Sequence, residues 1–418
     1  MRRGWGNAVS VLVNLPLVFA AMVWRACLRK TTFIAITGSL GKTTAKECLA
    51  AILAGIAPTT KTQGTANGRY GLPRTILCVR PRHRYAVVEA GTDGPGNMIR
   101  SSLTLRPDAV VVLNVARTHT QSYRDLDQTA REKSRLMRFL DRKGFAVLNA
   151  GDERVRRMTP PRGQRVFCFG NAPDSDVRAE DVRAQWPGRL EFTAVCGGER
   201  CRVRTQLVGA HWLDSALAAI ATARALGVSL DMCAEGLAGA SPYTGRLSPW
   251  PTNNGATILR DDFNGSVDSF ERAVQVLRDA RATRKILVVS DCSDFRAKPR
   301  KRMHYYADVG REAAAMVVFI GERCDQGVER AVRQGMAPEC AHGFCGMRDA
   351  AEFLKGELRE GDLVLLRGQT YQHLGRICHL LEGSIACERT HCDRTIVCDD
   401  CSELKFRRTS ANAAPPVA

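Results

Sequence analysis

Phe33-Ile-Ala-Ile-Thr-Gly-Ser-Leu-Gly-Lys-Thr-Thr-Ala-Lys46 is the stretch on which the reading of this chain turns. Phe33–Thr37 is a short, apolar, β-prone run of the kind that forms a buried strand. Gly38 and Gly41 mark a turn. Lys42, Thr43 and Thr44 open an apolar-periodic segment, Glu47–Leu53, that reads as a helix. Strand, glycine turn and helix in that order are the setting of a phosphate loop. Glycines let backbone N–H groups close on phosphate oxygens, and the helix N-terminus adds partial positive charge. Gly38, Ser39, Gly41, Lys42, Thr43 and Thr44 are therefore the expected nucleotide contacts, with Lys42 reaching the β/γ-phosphates and the Thr43 hydroxyl available to Mg²⁺. Ile36 stands where the first glycine of the full pattern would be.

A chain of 418 residues exceeds one ordinary core, so two or three domains are expected. The formal charge of +18 invites a nucleic-acid reading. The arginines are scattered, however, aromatics make up only 6% of residues, and no RNA- or DNA-binding motif is present, so no nucleic-acid partner is expected. Anionic substrates or an acidic membrane surface account for the charge equally well. Most of the 16 cysteines sit singly in apolar settings, which is the usage of a reducing compartment. Residues 8–24 form an apolar run interrupted by Asn14 and Pro16, with Arg2 and Arg3 before it and Arg25, Arg29 and Lys30 after it. Its length is near the minimum for a membrane span. Three readings stand: a membrane anchor, an interfacial helix, and an apolar helix packed on the first domain. No small-residue cleavage site marks it as a signal peptide.

From residue 33 to about 240, short apolar runs alternate with helical patterns. Tyr85–Glu89, Ala109–Asn114 and Ala146–Asn149 each end in a polar residue. Continuous apolar strands separated by helices imply a parallel sheet covered on both faces, with ligands at the strands' carboxyl ends. Residues 171–206 read as a small antiparallel excursion and Ser215–Leu226 as an alanine-rich helix. A hinge is expected at Tyr243–Trp250. Beyond it come strands at Thr257–Leu259, Lys285–Val289, Met316–Ile320 and Asp362–Leu366, with helices near 267–280, 304–315, 325–334 and 347–358. The fold class is α/β: a central P-loop ATPase domain with a parallel sheet, plus a smaller doubly wound C-terminal domain. The expected divisions are a hydrophobic anchor (1–30), the ATP-binding domain (31–242), the C-terminal domain (243–382) and a cysteine-rich tail (383–418), disordered from Arg407. Cys387, Cys392, Cys398 and Cys401 in that tail suggest a structural Zn²⁺ site of four thiolates, and a place where a partner protein docks. A disulfide pair or free thiols are the alternative.

Six segments in order resemble the Mur ligase family, and most resemble its member that adds D-alanyl-D-alanine in peptidoglycan synthesis. They are the phosphate loop from Thr37, Asn67-Gly-Arg-Tyr-Gly-Leu-Pro, Val88-Glu-Ala-Gly-Thr-Asp-Gly-Pro-Gly-Asn-Met, Asn114-Val-Ala-Arg-Thr-His, Arg260-Asp-Asp-Phe-Asn-Gly-Ser-Val-Asp-Ser and Gly361-Asp-Leu-Val-Leu-Leu-Arg-Gly-Gln. Two departures stand out. The family's N-terminal UDP-sugar domain has no counterpart in residues 1–30, and the family's Lys-Gly-Ser-Arg reads Arg367-Gly368-Gln369-Thr370.

The resemblance implies an ADP-forming ligase that joins a carboxylate acceptor to an amino-acid or dipeptide amine through an acyl phosphate. Its setting would be peptidoglycan-related synthesis or, as the alternative, poly-γ-glutamate, capsule or natural-product synthesis. A membrane-tethered scaffold without turnover is a third reading. ATP and Mg²⁺ are the implied cofactors. Thr43 and Glu89 would serve one Mg²⁺. His119 and Lys133 would serve a second, Lys133 as the lysine that many members carbamylate. Lys42, Lys133 and His119 form the implied catalytic set. Arg246, Asp262 and Asn264 would reach the nucleotide from the second domain, with a closing motion. The implied location is the cytoplasm or the cytoplasmic side of the membrane.

Overall fold

The computed structural model describes residues 3–116, 123–263, 266–291, 297–389, 392, 394 and 396–408, with side chains from Leu15 onward. The chain forms two compact units. The first comprises Met1–Ala184 with Arg189–Ser241, the second Gln185–Gly188 with Pro242–Ala418.

The first unit is built on a nine-stranded sheet: β1 (Thr32–Thr37), β2 (Thr59–Lys61), β3 (Tyr85–Glu89), β4 (Ala109–Val112), β5 (Phe145–Asn149), β6 (Arg165–Phe169), β7 (Val177–Arg183), β8 (Glu191–Cys196) and β9 (Glu199–Arg204). The spatial order is β2-β3-β1-β4-β5-β6-β7-β8-β9. Neighbours from β2 through β7 pair in parallel, and β7-β8 and β8-β9 are antiparallel. The expected antiparallel excursion is thus real, but it extends the parallel sheet, so the sheet is mixed. β1 shows why its centre is apolar. Strand side chains alternate between faces. Ile34 and Ile36 enter the core shared with Cys48, Leu49 and Ile52 of the helix Lys42–Ala54. Phe33 and Ala35 enter the opposite core with Leu72, Ile76 and Met98. With helices on both faces, the four central positions, Phe33–Ile36, are all apolar, and the threonines fall at the strand's two ends. The helix Leu213–Ala225 packs on the Lys42–Ala54 helix, and its alanines permit the close approach.

The second unit carries a six-stranded sheet: β10 (Ser248–Pro251), β11 (Thr257–Asp261), β12 (Arg284–Ser290), β13 (Met316–Ile320), β14 (Ala341–Phe344) and β15 (Asp362–Arg367), in the order β10-β11-β15-β12-β13-β14. β11 to β14 are parallel and β10 is an antiparallel edge. Part of the expected hinge is therefore β10. Helices lie at Val267–Asp279, Pro299–Ala313, Cys324–Arg333 and Met347–Glu357, close to their expected places. Ser266 caps the first, its hydroxyl accepting from the Ser269 N–H at 3.3 Å.

The N-terminal helix, Arg3–Cys27, follows the packed reading over its second half. Ala21 and Leu28 are buried in the first unit's core, and the Trp24 indole donates to the Val79 carbonyl at 2.9 Å. Among the described residues, no helix is long and apolar enough to cross a membrane. The spanning reading thus lacks a spanning element in the described chain. The C-terminal tail is likewise fastened down. Arg407–Arg408, expected to be disordered, pair as a short antiparallel ladder with Gly383–Ser384, and Ile385, Cys398 and Leu404 form a small core of their own.

Candidate active site

The phosphate loop leaves β1 at its carboxyl end and enters the helix at Lys42. Gly41 has φ 82°, and a Cβ there would sit 2.7 Å from the Ser215 hydroxyl oxygen. Only glycine fits both the left-handed backbone and that approach. Asn114, just past β4, accepts from the backbone N–H groups of Ser39 and Leu40 at 3.1 and 2.8 Å and donates to the Leu40 carbonyl at 3.1 Å. The loop is therefore held open by a side chain from the neighbouring strand. The Lys42 ammonium lies over the loop, donating to the Gly38 and Ser39 carbonyls at 2.9 and 3.3 Å.

Glu89 ends β3, beside β1. It is buried, and the Thr43 hydroxyl donates to its Oε2 at 3.1 Å. Asn67 donates to Oε1 at 2.6 Å, and the Lys46 ammonium lies 4.0 Å from Oε2. A hydroxyl and a carboxylate side by side at a helix N-terminus are the hard oxygen donors Mg²⁺ takes. The Thr43–Glu89 pair therefore fits that ion. Lys46 and Asn67 were not expected as site residues. Lys46 is fully buried and also donates to the Thr62 and Gly64 carbonyls at 2.9 and 2.5 Å. An amphipathic reading of its helix places it on a polar face, so only the fold reveals it. Asn67 lies in a segment that the resemblance singled out without a role.

Lys133 lies on the helix Leu126–Ser134, capped by Asp125, whose side chain accepts from the Gln128 N–H at 2.6 Å. Its side chain is buried. Burial pushes its pKa well below the ordinary lysine value, and the positive charge of Lys42 pushes it the same way, against the opposing pull of Glu132. Glu132 is itself occupied, accepting from Arg135 at 2.8 Å and from the Met98 N–H at 2.9 Å. Burial and the Lys42 charge thus both favour the deprotonated form of the Lys133 amine, which lies within electrostatic reach of the phosphate-loop lysine. Lys143, the next lysine along the chain, is exposed. His119 and Asn264 lie outside the described residues.

In the second unit, Asp261 and Asp262 follow different paths. Arg367, fully buried at the end of β15, pairs with Asp261 and donates to the Ser266 carbonyl and the Ser269 hydroxyl at 3.1 and 2.6 Å. Burial raises the Asp261 pKa, with Arg367 and Arg246 pulling it down. The arginine in place of the family's lysine is thus a clamp between β15, β11 and the next helix. Asp262 is flanked by Arg260, 3.3 Å away, and Arg246 lies with its guanidinium 5.1 Å from the Phe263 ring centre. A cavity of about 560 Å³ opens at the carboxyl ends of β12 and β13, lined by Asp291, Glu322, Arg323, Tyr371 and Gln372 among others.

The four tail cysteines line one small cavity. Among the described residues, however, no group of three His, Cys, Asp or Glu side chains is gathered to hold a metal. The zinc expectation accordingly has no coordination site behind it. Arginines meet the sulfurs instead: Arg376 Nε is 3.4 Å from Cys398 Sγ and Arg394 Nη1 is 3.3 Å from Cys401 Sγ. Asp399 fastens the tail to β11 by accepting from Arg260 at 2.7 Å, with His379 at 3.5 Å. Burial works against the Asp399 carboxylate, but His379 and Arg260 outweigh it and hold its pKa below the usual range.

Parallel strands feeding a glycine loop, an acid–hydroxyl pair and a buried lysine are an arrangement suited to a nucleotide in an α/β enzyme. The Mur ligase middle domain matches residues 36–223, and the Mur ligase glutamate ligase domain matches residues 245–370. The chain belongs to the Mur ligase family. The UDP-N-acetylmuramoyl-tripeptide–D-alanyl-D-alanine ligase of Escherichia coli is 33% identical over 305 residues, 72% of this chain. The chain spans 64% of that relative's length. The ligase of the same name from Mycobacterium tuberculosis is 27% identical over 404 residues, covering 91% of this chain and 79% of the relative. Among solved structures, MurF from Acinetobacter baumannii superposes with a TM-score of 0.81 at 26% identity, over 88% of this chain and 80% of that one.

Proposed function

We propose that this chain is an ATP-dependent ligase that joins a carboxylate to an amine through an acyl phosphate in cell-envelope synthesis, releasing ADP and phosphate. The observation that carries this reading is the convergence, within one unit, of the Gly41 loop, the Thr43–Glu89 pair and the buried Lys133. The relatives' names direct it to a UDP-N-acetylmuramoyl-tripeptide as acceptor and D-alanyl-D-alanine as amine.

A carboxylate is a poor acylating agent. Its oxygen attacks the γ-phosphorus, the bond to the ADP oxygen breaks, and the acyl phosphate forms. The amine nitrogen then attacks the acyl carbon, phosphate leaves, and the amine proton passes to water. Such chemistry needs positioning and charge neutralisation above all. Lys42 and the loop N–H groups hold the β/γ-phosphates. Thr43 and Glu89 hold Mg²⁺, which when bound supplies charge neutralisation at the phosphates. Asn67 and Lys46 keep the Glu89 carboxylate in place.

Lys133 is suited to carbamylation. Its deprotonated amine would attack CO₂, forming an N–C bond and releasing a proton to water, and the resulting anionic oxygen pair, with His119 as its expected companion, would be able to hold a second Mg²⁺. In this reading residues 31–242 bind ATP. Residues 243–382 supply Arg246, Asp262 and Asn264 to the nucleotide and offer the cavity at the strands' carboxyl ends to the amine. Because ATP is the donor, the site works in the cytoplasm or at the cytoplasmic face of the membrane.

The test is phosphate release with UDP-N-acetylmuramoyl-tripeptide and D-alanyl-D-alanine, run beside a panel of other amino acids and carboxylates. Release that requires both an acceptor and an amine supports the ligase. Release with a glutamate chain alone would move the function to polymer synthesis. No release with any pair would refute ligase activity.

A further inference from the structure

The outward face of the N-terminal helix has no use in the ligase reading. Its inner face is fixed: Trp24 bonds to Val79, and Arg25 donates to the Leu105 carbonyl at 2.8 Å and to Asp108 at 3.0 Å. Yet from Leu15 to Cys27 every exposed position is apolar. Leu15, Phe19 and Val23, spaced four residues apart on one stripe, are 55%, 69% and 49% exposed. A surface helix normally turns its polar side to water. This one is apolar on both sides, and a contiguous outward stripe of large apolar side chains marks an interaction surface.

What covers it is indicated by the charge beside it. The helix ends in the loop 28–31, and the loop 79–84 lies against it, joined by the Thr31 hydroxyl to the His83 carbonyl at 2.7 Å and by Arg84 to the Lys30 carbonyl at 3.0 Å. These two loops expose Arg29, Lys30, Arg80, Arg82 and Arg84, none of which forms an ion pair among the described residues. Five cations beside an apolar helix face match a surface whose interior is apolar and whose boundary is anionic. A second protein copy would bring the same five positive charges to the contact. Both loops precede strands, β1 and β3, so they lie at the amino ends of the parallel sheet. The phosphate loop lies at the carboxyl ends, away from both basic loops.

We propose that the outward face of this helix, with the basic loops 28–31 and 79–84, docks the protein on an anionic lipid bilayer, the helix lying in the headgroup boundary rather than crossing it.

The full chain is sedimented with vesicles of phosphatidylcholine alone and of phosphatidylcholine with phosphatidylglycerol at 7:3. Binding should favour the anionic vesicles about tenfold and fall as salt rises. Phe19→Glu with Val23→Glu should weaken binding by about tenfold or more while nucleotide binding is unchanged, because these side chains touch nothing in the core. Arg82→Glu with Arg84→Glu should remove the preference for phosphatidylglycerol. Equal binding to both vesicle types, no binding to either, or wild-type binding by the Phe19/Val23 variant would overturn the proposal. So would resistance of the bound protein to alkaline carbonate extraction, which would show a span. Self-association abolished by the same variant, without vesicle binding, would assign the face to a second copy and overturn it too.

Discussion

Lys133→Met separates the cost of burying an amine from its use. The side chain is buried, and its pKa lies well below the ordinary 10.5 through desolvation first and Lys42 second. Between the depressed folded-state pKa and 10.5 the unfolded chain therefore binds more protons than the folded chain. Stability from this group rises with pH from the depressed folded-state pKa up to about 10.5, at about 1.4 kcal/mol per pH unit. Below the folded-state pKa both states are protonated and the penalty is constant. Methionine fills a similar volume without an ionisable group, so the variant loses this slope. In CO₂-free buffer, urea unfolding across a pH series should show the variant more stable than the wild type, with the margin shrinking as pH rises toward 10.5, by up to about 1.4 kcal/mol per pH unit. Bicarbonate should stabilise the wild type and leave the variant unchanged, because only an amine captures CO₂. Turnover should be lost in the variant throughout. Parallel pH slopes for the two proteins would show that the Lys133 pKa is not depressed by folding, and the carbamylation argument would fall with it.

Lys42→Ala should abolish ATP turnover with an unchanged unfolding midpoint, as read by phosphate release and thermal denaturation. Glu89→Gln should raise the Mg²⁺ concentration needed for half-maximal turnover, with partial recovery at high Mg²⁺; a Mg²⁺ dependence identical to wild type would free Glu89 from the metal. Asp399→Asn, which leaves the buried Arg260 one charge partner short, should cost about 2 kcal/mol of stability. It should also raise the KM for ATP if Asp262 serves the nucleotide, and that second effect should vanish in an Asp262→Asn background.

Much of the first unit could be read directly. β1 is apolar from Phe33 to Ile36 because helices cover both its faces, and Gly41 is glycine because Ser215 and a positive φ allow nothing else. The helices of the second unit fell near their expected places because their apolar spacing is regular. What stayed hidden was long-range. Nothing local to Lys46 shows that it is buried beside Glu89, and nothing local to Arg367 shows that it clamps Asp261. The tail misled for the opposite reason: four cysteines in a polar stretch have the look of a metal knuckle. In the structure arginines stand at two of the sulfurs, and Asp399 anchors the segment to Arg260. Register also escaped the sequence, since neither the β7–β9 extension nor the β10 edge changes the local pattern that sets strand apart from loop.

The central claim is that phosphate passes through the acceptor carboxylate. With an acceptor–amine pair that supports turnover, the carboxylate is labelled with ¹⁸O and the released phosphate is analysed by mass spectrometry. The account predicts one ¹⁸O in each phosphate, ADP as the nucleotide product, and no label transfer in Lys42→Ala. Unlabelled phosphate, or AMP with pyrophosphate, would contradict it.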